Sequence, residues 1–94
     1  MIEIAELRAM MERGIMWLTV GEAAKVLGCT PQALRNAAEK KGTLGSILYM
    51  WAGNELRISI NSVLRFLAGG YTIRDIFGTG IEYAIPFREE VEKR

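Results

Sequence analysis

Polar side chains of the types that recognise nucleic-acid bases recur at helical spacing after residue 31. They occupy positions i, i+3, i+4, i+7 and i+8, which share one face of a helix, and they are Gln32, Arg35, Asn36, Glu39 and Lys40. An arginine can form two hydrogen bonds with guanine, and a Gln or Asn amide can do the same with adenine. An ordinary solvated helix surface collects the same residue types, so the face alone leaves both interpretations open.

A capping box predicts a helix ahead of this face. Thr19 and Glu22 match the T-x-x-E pattern, in which a hydroxyl and a carboxylate accept hydrogen bonds from backbone amides, so we expect a helix to begin at Val20. Gly28 can adopt the left-handed conformation that ends helices. The apolar stripe of this helix faces a core, leaves Lys25 outside, and consists of Val20, Ala23, Ala24 and Leu27.

A second helix is predicted after only two intervening residues, Gly28 and Cys29. Thr30 is a suitable N-cap and Pro31 suits the first helical position, so this helix should run from about Pro31 to Lys41. The short connection requires the two helices to cross steeply, as in a helix-turn-helix. The residues suited to packing this helix on the first are small and apolar: Ala33, Leu34, Ala37 and Ala38.

The segment SILYMWAGNELRISI, residues 46–60, predicts a β-hairpin with Gly53 and Asn54 in its turn. That turn sets a register in which the apolar pairs share one face: Trp51 with Leu56, Tyr49 with Ile58, and Ile47 with Ile60. The other face then carries Met50 with Arg57 and Leu48 with Ser59. A hairpin directly after the second helix is a wing, and its tip, which includes Asn54 and Arg57, is placed to touch a phosphate backbone or a minor groove.

Shorter signals mark the remaining elements. Asn61 is expected to cap a helix from Ser62 to Ala68, which Gly69 and Gly70 end. Residues 3–13 predict an amphipathic helix and residues 72–77 a single turn capped by a T-x-x-D motif. Residues 83–87 are expected to be extended and residues 88–94 frayed.

Composition argues against most enzyme classes. The chain has no histidine, which excludes a Ser-His or Cys-His nucleophile, an imidazole base and any metal site that uses histidine. The glycine cluster KGTLGS at residues 41–46 does not fit the phosphate-binding loop GxxxxGK[ST]. We therefore expect no enzymatic activity, no cofactor and no metal.

Charge is distributed unevenly along the chain. Residues 19–70 carry six basic and three acidic side chains, whereas the segments on either side are each net negative by one charge. This positive excess is typical of a modest phosphate-binding face, although three charges also suit a solvated surface. No apolar run approaches the roughly 18 residues of a membrane span, and the lone Cys29 cannot form an internal disulfide, so we expect a cytoplasmic protein.

The stretch WLTVGEAAKVLGCTPQALRNAAEKKG, followed by a strand pair that ends in LRISINSVLRFLAGG, resembles the excisionase and MerR-type winged helix-turn-helix domains. The resemblance covers roughly residues 17–70, and the wing departs from the family in carrying Glu55 beside Arg57. It implies a mainly α fold with a small β-hairpin wing (α+β) and a three-helix core. It also implies that the second helix enters the major groove, a role that passes by position to Thr30, Gln32, Arg35, Asn36 and Lys40, with Arg57 on the wing.

We therefore expect a single domain over residues 1–94, with a winged helix-turn-helix core at 17–70, an N-terminal helical extension at 1–16 and a C-terminal extension at 71–94. The expected function is sequence-specific binding of double-stranded DNA by a homodimer, as a transcriptional regulator or an excisionase-type recombination directionality factor. Lys25, Lys40 and Lys41 would hold phosphates. The alternative is a protein-binding adaptor or antirepressor that keeps the core without reading DNA, which the net charge of only +1 favours.

Overall fold

The computed structural model describes residues 4–78, which form a mixed α+β fold. Its helices are α1 (Ile4–Glu12), α2 (Val20–Leu27), α3 (Pro31–Asn36), a π-helical turn (Ala37–Lys41), α4 (Ile60–Ala68) and α5 (Arg74–Phe77). Its strands are β1 (Trp17–Thr19), β2 (Tyr49–Ala52) and β3 (Glu55–Ser59), and they form an antiparallel sheet in the order β1-β3-β2. The predictions for residues 83–87 and 88–94 lie outside the described residues.

The capping box that begins α2 is confirmed. The Thr19 hydroxyl accepts a hydrogen bond from the Glu22 amide at 3.1 Å, and the Glu22 carboxylate accepts one from the Thr19 amide at 3.0 Å. At the other end Gly28 has φ 83°, and its amide donates to the carbonyl of Ala24 at 2.8 Å. Two orphan amides at one end and a carbonyl at the other are thereby satisfied, which fixes both bounds of the helix.

The second helix begins as predicted but does not continue as an α-helix to Lys41. The Thr30 hydroxyl accepts a hydrogen bond from the Ala33 amide at 3.1 Å, and Pro31 is the first helical residue. After Asn36 the backbone changes to a π-helical turn, which Gly42 closes by donating to the carbonyl of Ala37 at 3.0 Å. This i→i+5 hydrogen bond spans one residue more than an α-helical one. Both alanines at its start, Ala37 and Ala38, are buried.

The hairpin register is confirmed for all four pairs of β2 and β3, from Tyr49 with Ile58 to Ala52 with Glu55. The pairing predicted between Ile47 and Ile60 is wrong, because Ile60 already belongs to α4, although both side chains are buried. Strand β1 was not predicted. It pairs with the free edge of β3 and places Leu18 opposite Ile58, so β3 is the central strand of the sheet.

Helix α4 begins two residues earlier than predicted, with Ser59 and not Asn61 as its N-cap. The Ser59 hydroxyl accepts a hydrogen bond from the Ser62 amide at 3.2 Å. Ser62 is itself buried, donates its hydroxyl to the Ser59 carbonyl at 2.9 Å and accepts from the Leu48 amide at 2.9 Å. Strand β3 therefore passes directly into α4, and the Ser62 hydroxyl of α4 accepts the hydrogen bond of the backbone amide just before β2.

The core lies between the inner face of the sheet and the helices. Its largest fully buried side chains come from α1, β1, α3, the segment before β2, β3 and α4, and they are Leu7, Leu18, Leu34, Leu44, Leu56, Ile58, Ile60, Val63 and Phe66. Cys29 fills the connection between α2 and α3, is 3% exposed, and has its pKa raised by burial to about 12.

The T-x-x-D turn is confirmed in part: the Asp75 carboxylate accepts a hydrogen bond from the Thr72 amide at 2.7 Å, and helix α5 begins at Arg74.

Thr19→Ala should destabilise the fold by about 1 kcal/mol, because it removes the hydroxyl that satisfies an orphan amide of α2. Thr19→Ser, which keeps the hydroxyl, is the matched control and should lose much less. Urea denaturation followed by circular dichroism measures both free energies of unfolding. Equal losses in the two variants would mean that the strand position of Thr19, and not its capping bond, determines the effect.

The buried Cys29 thiol should make stability fall at alkaline pH. Its pKa rises from 9.0 to about 12 on folding, so the folded state holds its proton more tightly than the unfolded state. The stabilisation that the buried, protonated thiol contributes to the folded state is therefore fully present below pH 9, and it is lost as pH rises toward 12. Between pH 8 and 10.5 the wild type should lose about 1–2 kcal/mol more than Cys29→Ala, measured by urea denaturation. Parallel losses in the two proteins would contradict this assignment.

Candidate nucleic-acid interface

The exposed side of the second helix lies beside the tip of the β2–β3 hairpin. A cleft of about 160 Å³ separates them, and it is lined by Thr19, Val20, Arg35, Asn54, Glu55, Leu56 and Arg57. A second, shallower hollow of about 490 Å³ lies next to it and is lined by Ala38, Glu39, Trp51, Gly53 and Asn54. Asn54 lines both depressions. The fold thus brings together predicted site residues from two separate segments of the sequence, Arg35 from α3 and Asn54 with Arg57 from the hairpin tip.

Strand β1 brings the start of α2 to the cleft. It pairs Thr19 with Arg57, so the N-terminus of α2 lies next to the hairpin. Because α2 also packs against α3, the half-buried Arg35 lines the same cleft. Thr19 and Val20 were not predicted as site residues, since a strand of three residues carries too weak a signal to show that the two segments meet.

The cation at the hairpin tip is already paired. Arg57 Nη2 lies 2.7 Å from Glu55 Oε1, and the two side chains are 40% and 71% exposed. An ion pair with this much exposure contributes roughly 0–1 kcal/mol, so a phosphate could compete for the arginine at little cost. The departure noted in the wing sequence is therefore a real structural feature, because Glu55 offsets the charge of Arg57.

Two amides on α3 are bonded to each other. Gln32 Nε2 donates to Asn36 Oδ1 at 3.0 Å, one helical turn apart. Gln32 is exposed and Asn36 is half-buried, so the bonded pair lies at the surface of α3. Neither amide is used to hold the fold together, since both belong to the same exposed side of one helix.

The single polar face predicted from α-helical spacing is interrupted by the π-helical turn. Gln32, Arg35 and Asn36 precede the turn and keep their predicted relation. Glu39 lies within the π-helical turn and lines the shallower hollow with Trp51 and Asn54. Lys40 is exposed near the end of the same turn. Glu39 and Lys40, which were predicted to continue the stripe of the three earlier residues, therefore lie in a segment that does not follow the 3.6-residue repeat.

The remaining predicted contacts are spread around this region. Lys41 is exposed at the end of the π-helical turn, and Lys25 is exposed on α2, away from its buried stripe. Thr30 uses its hydroxyl oxygen as the N-cap of α3, which leaves its hydroxyl proton free to donate.

Trp51 lies on the face of the hairpin that the alternating pattern predicted. It pairs with Leu56 in the predicted register, and it is 37% exposed, whereas Leu56 is buried. Its side chain lines the hollow beside Glu39.

The outer face of the sheet carries exposed apolar side chains beside polar ones. Trp17 and Met50 are 39% and 41% exposed, and the register places them on the same face as Thr19 and Arg57. Met16 and Leu48, which adjoin β1 and β2, are 50% and 65% exposed. Within residues 4–78 these apolar side chains are covered only in part.

None of the helices between residues 4 and 78 has the length and apolar character needed to cross a membrane. Over the same residues, no group of three or more Cys, Asp and Glu side chains is arranged to hold a metal ion.

Comparison with protein-family models, with curated proteins and with solved structures finds no match to this chain.

Proposed function

We propose that this chain is a small sequence-specific double-stranded DNA-binding protein with a winged helix-turn-helix architecture. In this proposal α2 and α3 form the helix-turn-helix, the β2–β3 hairpin is the wing, and α3 enters the major groove. The observation that carries the proposal is the cleft that joins Arg35 of α3 to Asn54 and Arg57 of the hairpin tip. A recognition helix and a wing must act on the same duplex, and these side chains lie on one side of the molecule.

The free surface of α3 supports this assignment. Helix α3 packs into the core through Leu34, and the turn that follows packs through Ala37 and Ala38; all three residues are buried. Gln32 is exposed, and Arg35 and Asn36 are half-buried. An α-helix fits the major groove, which is about 12 Å wide, and it reads bases through side chains of these types.

The proposed roles divide by chemistry. Arg35, Gln32 and Asn36 contact base edges, whereas Lys25, Lys40 and Lys41 contact phosphates. On the wing, Asn54 and Arg57 contact the backbone of the next segment of duplex, with Arg57 exchanging Glu55 for a phosphate. Glu39 opposes binding, because a carboxylate between the helix and the wing repels a phosphate strand that passes there.

A homodimer would suit this role. Two copies related by a twofold axis present two recognition helices to half-sites about 34 Å apart, one turn of the duplex. The exposed outer face of the sheet supplies apolar surface that a second copy could cover. A transcriptional regulator or an excisionase-type recombination directionality factor would bind DNA in this way.

A second candidate function is a protein-binding adaptor or antirepressor. The exposed apolar side chains on the outer face, Trp17, Leu48 and Met50, favour it, and so does Glu39 beside the groove. Retention on a heparin or random-DNA column separates the two candidates. A DNA-binding protein is retained in dilute salt and shows a steep salt dependence, whereas an adaptor passes through.

Arg35→Ala should weaken binding to the selected site by roughly 1–3 kcal/mol and relax the preference at one base pair, because the guanidinium is proposed to contact a single guanine. Selection of bound sequences from a random duplex pool, followed by titration, measures both effects. Arg65→Ala, which removes an exposed arginine from α4, is the matched control and should change neither. Equal losses for Arg35→Ala on specific and random duplexes would assign the residue to phosphate contact.

Lys40→Ala should weaken binding to all duplexes alike and reduce the slope of log K against log salt by about one unit, because it removes one phosphate contact. The neighbouring Glu39→Gln removes a charge of the opposite sign and should strengthen binding to the same duplexes. Fluorescence anisotropy over a salt series measures both. An unchanged slope in Lys40→Ala would place the lysine outside the interface.

A further inference from the structure

The hydrogen bond between Gln32 and Asn36 changes what α3 can recognise. Residues four apart on an α-helix are separated by about 6 Å along its axis, whereas base pairs stack every 3.4 Å or so. Two independent side chains at this spacing would reach different base pairs. The amides of Gln32 and Asn36 are instead 3.0 Å apart, closer than one base-pair step.

The bond also determines which groups remain available. Gln32 has used one of its two Nε2 hydrogens, and Asn36 has used one of the two lone pairs of Oδ1. The pair keeps the Gln32 carbonyl oxygen as an acceptor and the Asn36 Nδ2 group as a donor. Within one short distance it therefore presents acceptors and donors together.

This combination matches one base better than the others. In the major groove adenine offers a donor, N6–H₂, next to an acceptor, N7, whereas guanine offers two acceptors. Thymine offers an acceptor and a methyl group, and cytosine offers a donor. Arg35, which has donors only, is complementary to guanine.

We propose that Gln32 and Asn36 act as one unit that recognises a single adenine, near a guanine contacted by Arg35. This inference rests on the proposed function and specifies its target. Because Asn36 is half-buried and the two amides are already bonded, less side-chain freedom is lost on binding than for two separate residues.

The test is a double-mutant cycle on the duplex selected by the wild-type protein. Gln32→Ala and Asn36→Ala should each reduce the preference for A·T by about 5- to 100-fold at the same position, and the double variant should lose no more than the larger single loss. Replacing that adenine by 7-deazaadenine, which lacks the N7 acceptor, should weaken the wild type and leave the double variant unchanged. Asn61→Ala, which removes an exposed amide from α4, is the control and should change nothing.

Three results would overturn the proposal while leaving DNA binding intact. The single variants could relax two different base pairs, their losses could multiply in the double variant, or the affected position could prefer a pair other than A·T. If the wild type selects no sequence at all, the proposed function fails and this inference fails with it. Selection that depends on Arg35 but not on either amide overturns the amide unit alone.

Discussion

The central position of β3 is the constraint on which the rest of the structure depends. Both of its edges are paired, with β1 on one side and β2 on the other, and its inward side chains, Leu56 and Ile58, are buried. The pairing with β1 holds the start of α2 beside the hairpin, and the direct passage from Ser59 into α4 anchors the other end. The relation between α3 and the hairpin tip follows from these two connections. A site that spans both elements is therefore only as well ordered as this one strand.

Features governed by short-range chemistry were predictable from the sequence. The capping box at Thr19, the N-cap at Thr30 and the turn at residues 53–54 each depend on residues within three or four positions, and each is found where expected. The hairpin register followed because the turn fixes it and the alternating pattern agrees. Strand β1 depends instead on partners 38 to 42 residues away, and no local pattern encodes it. The early start of α4 has a local cause, the Ser59 cap on the Ser62 amide, which the sequence analysis assigned to Asn61 instead.

The sequence predicted which residues belong to the candidate site better than it predicted how they are arranged. Arg35, Asn54 and Arg57 were identified by type and position, and they line one cleft. Glu55 was noted beside Arg57 in the sequence and is its ion-pair partner in the structure, whereas the hydrogen bond between Gln32 and Asn36 was not predicted. Such contacts depend on side-chain directions at distances near 3 Å, which helical spacing alone does not resolve. The exposure of Trp51 is likewise not given by the strand pattern, which fixes the face on which a side chain lies but not whether a helix covers it.

The π-helical turn has a consequence for how this surface can vary. It contains one residue more than a regular α-helical turn would need, so a deletion within residues 37–41 could be absorbed by reverting to an ordinary helix. Because an i→i+5 turn closes with one residue more than an i→i+4 turn, the chain beyond Gly42 would keep its direction after such a deletion, and Gln32 and Arg35 would stay in place as well. The length of this short segment can therefore change without altering the polar side of α3 that precedes it.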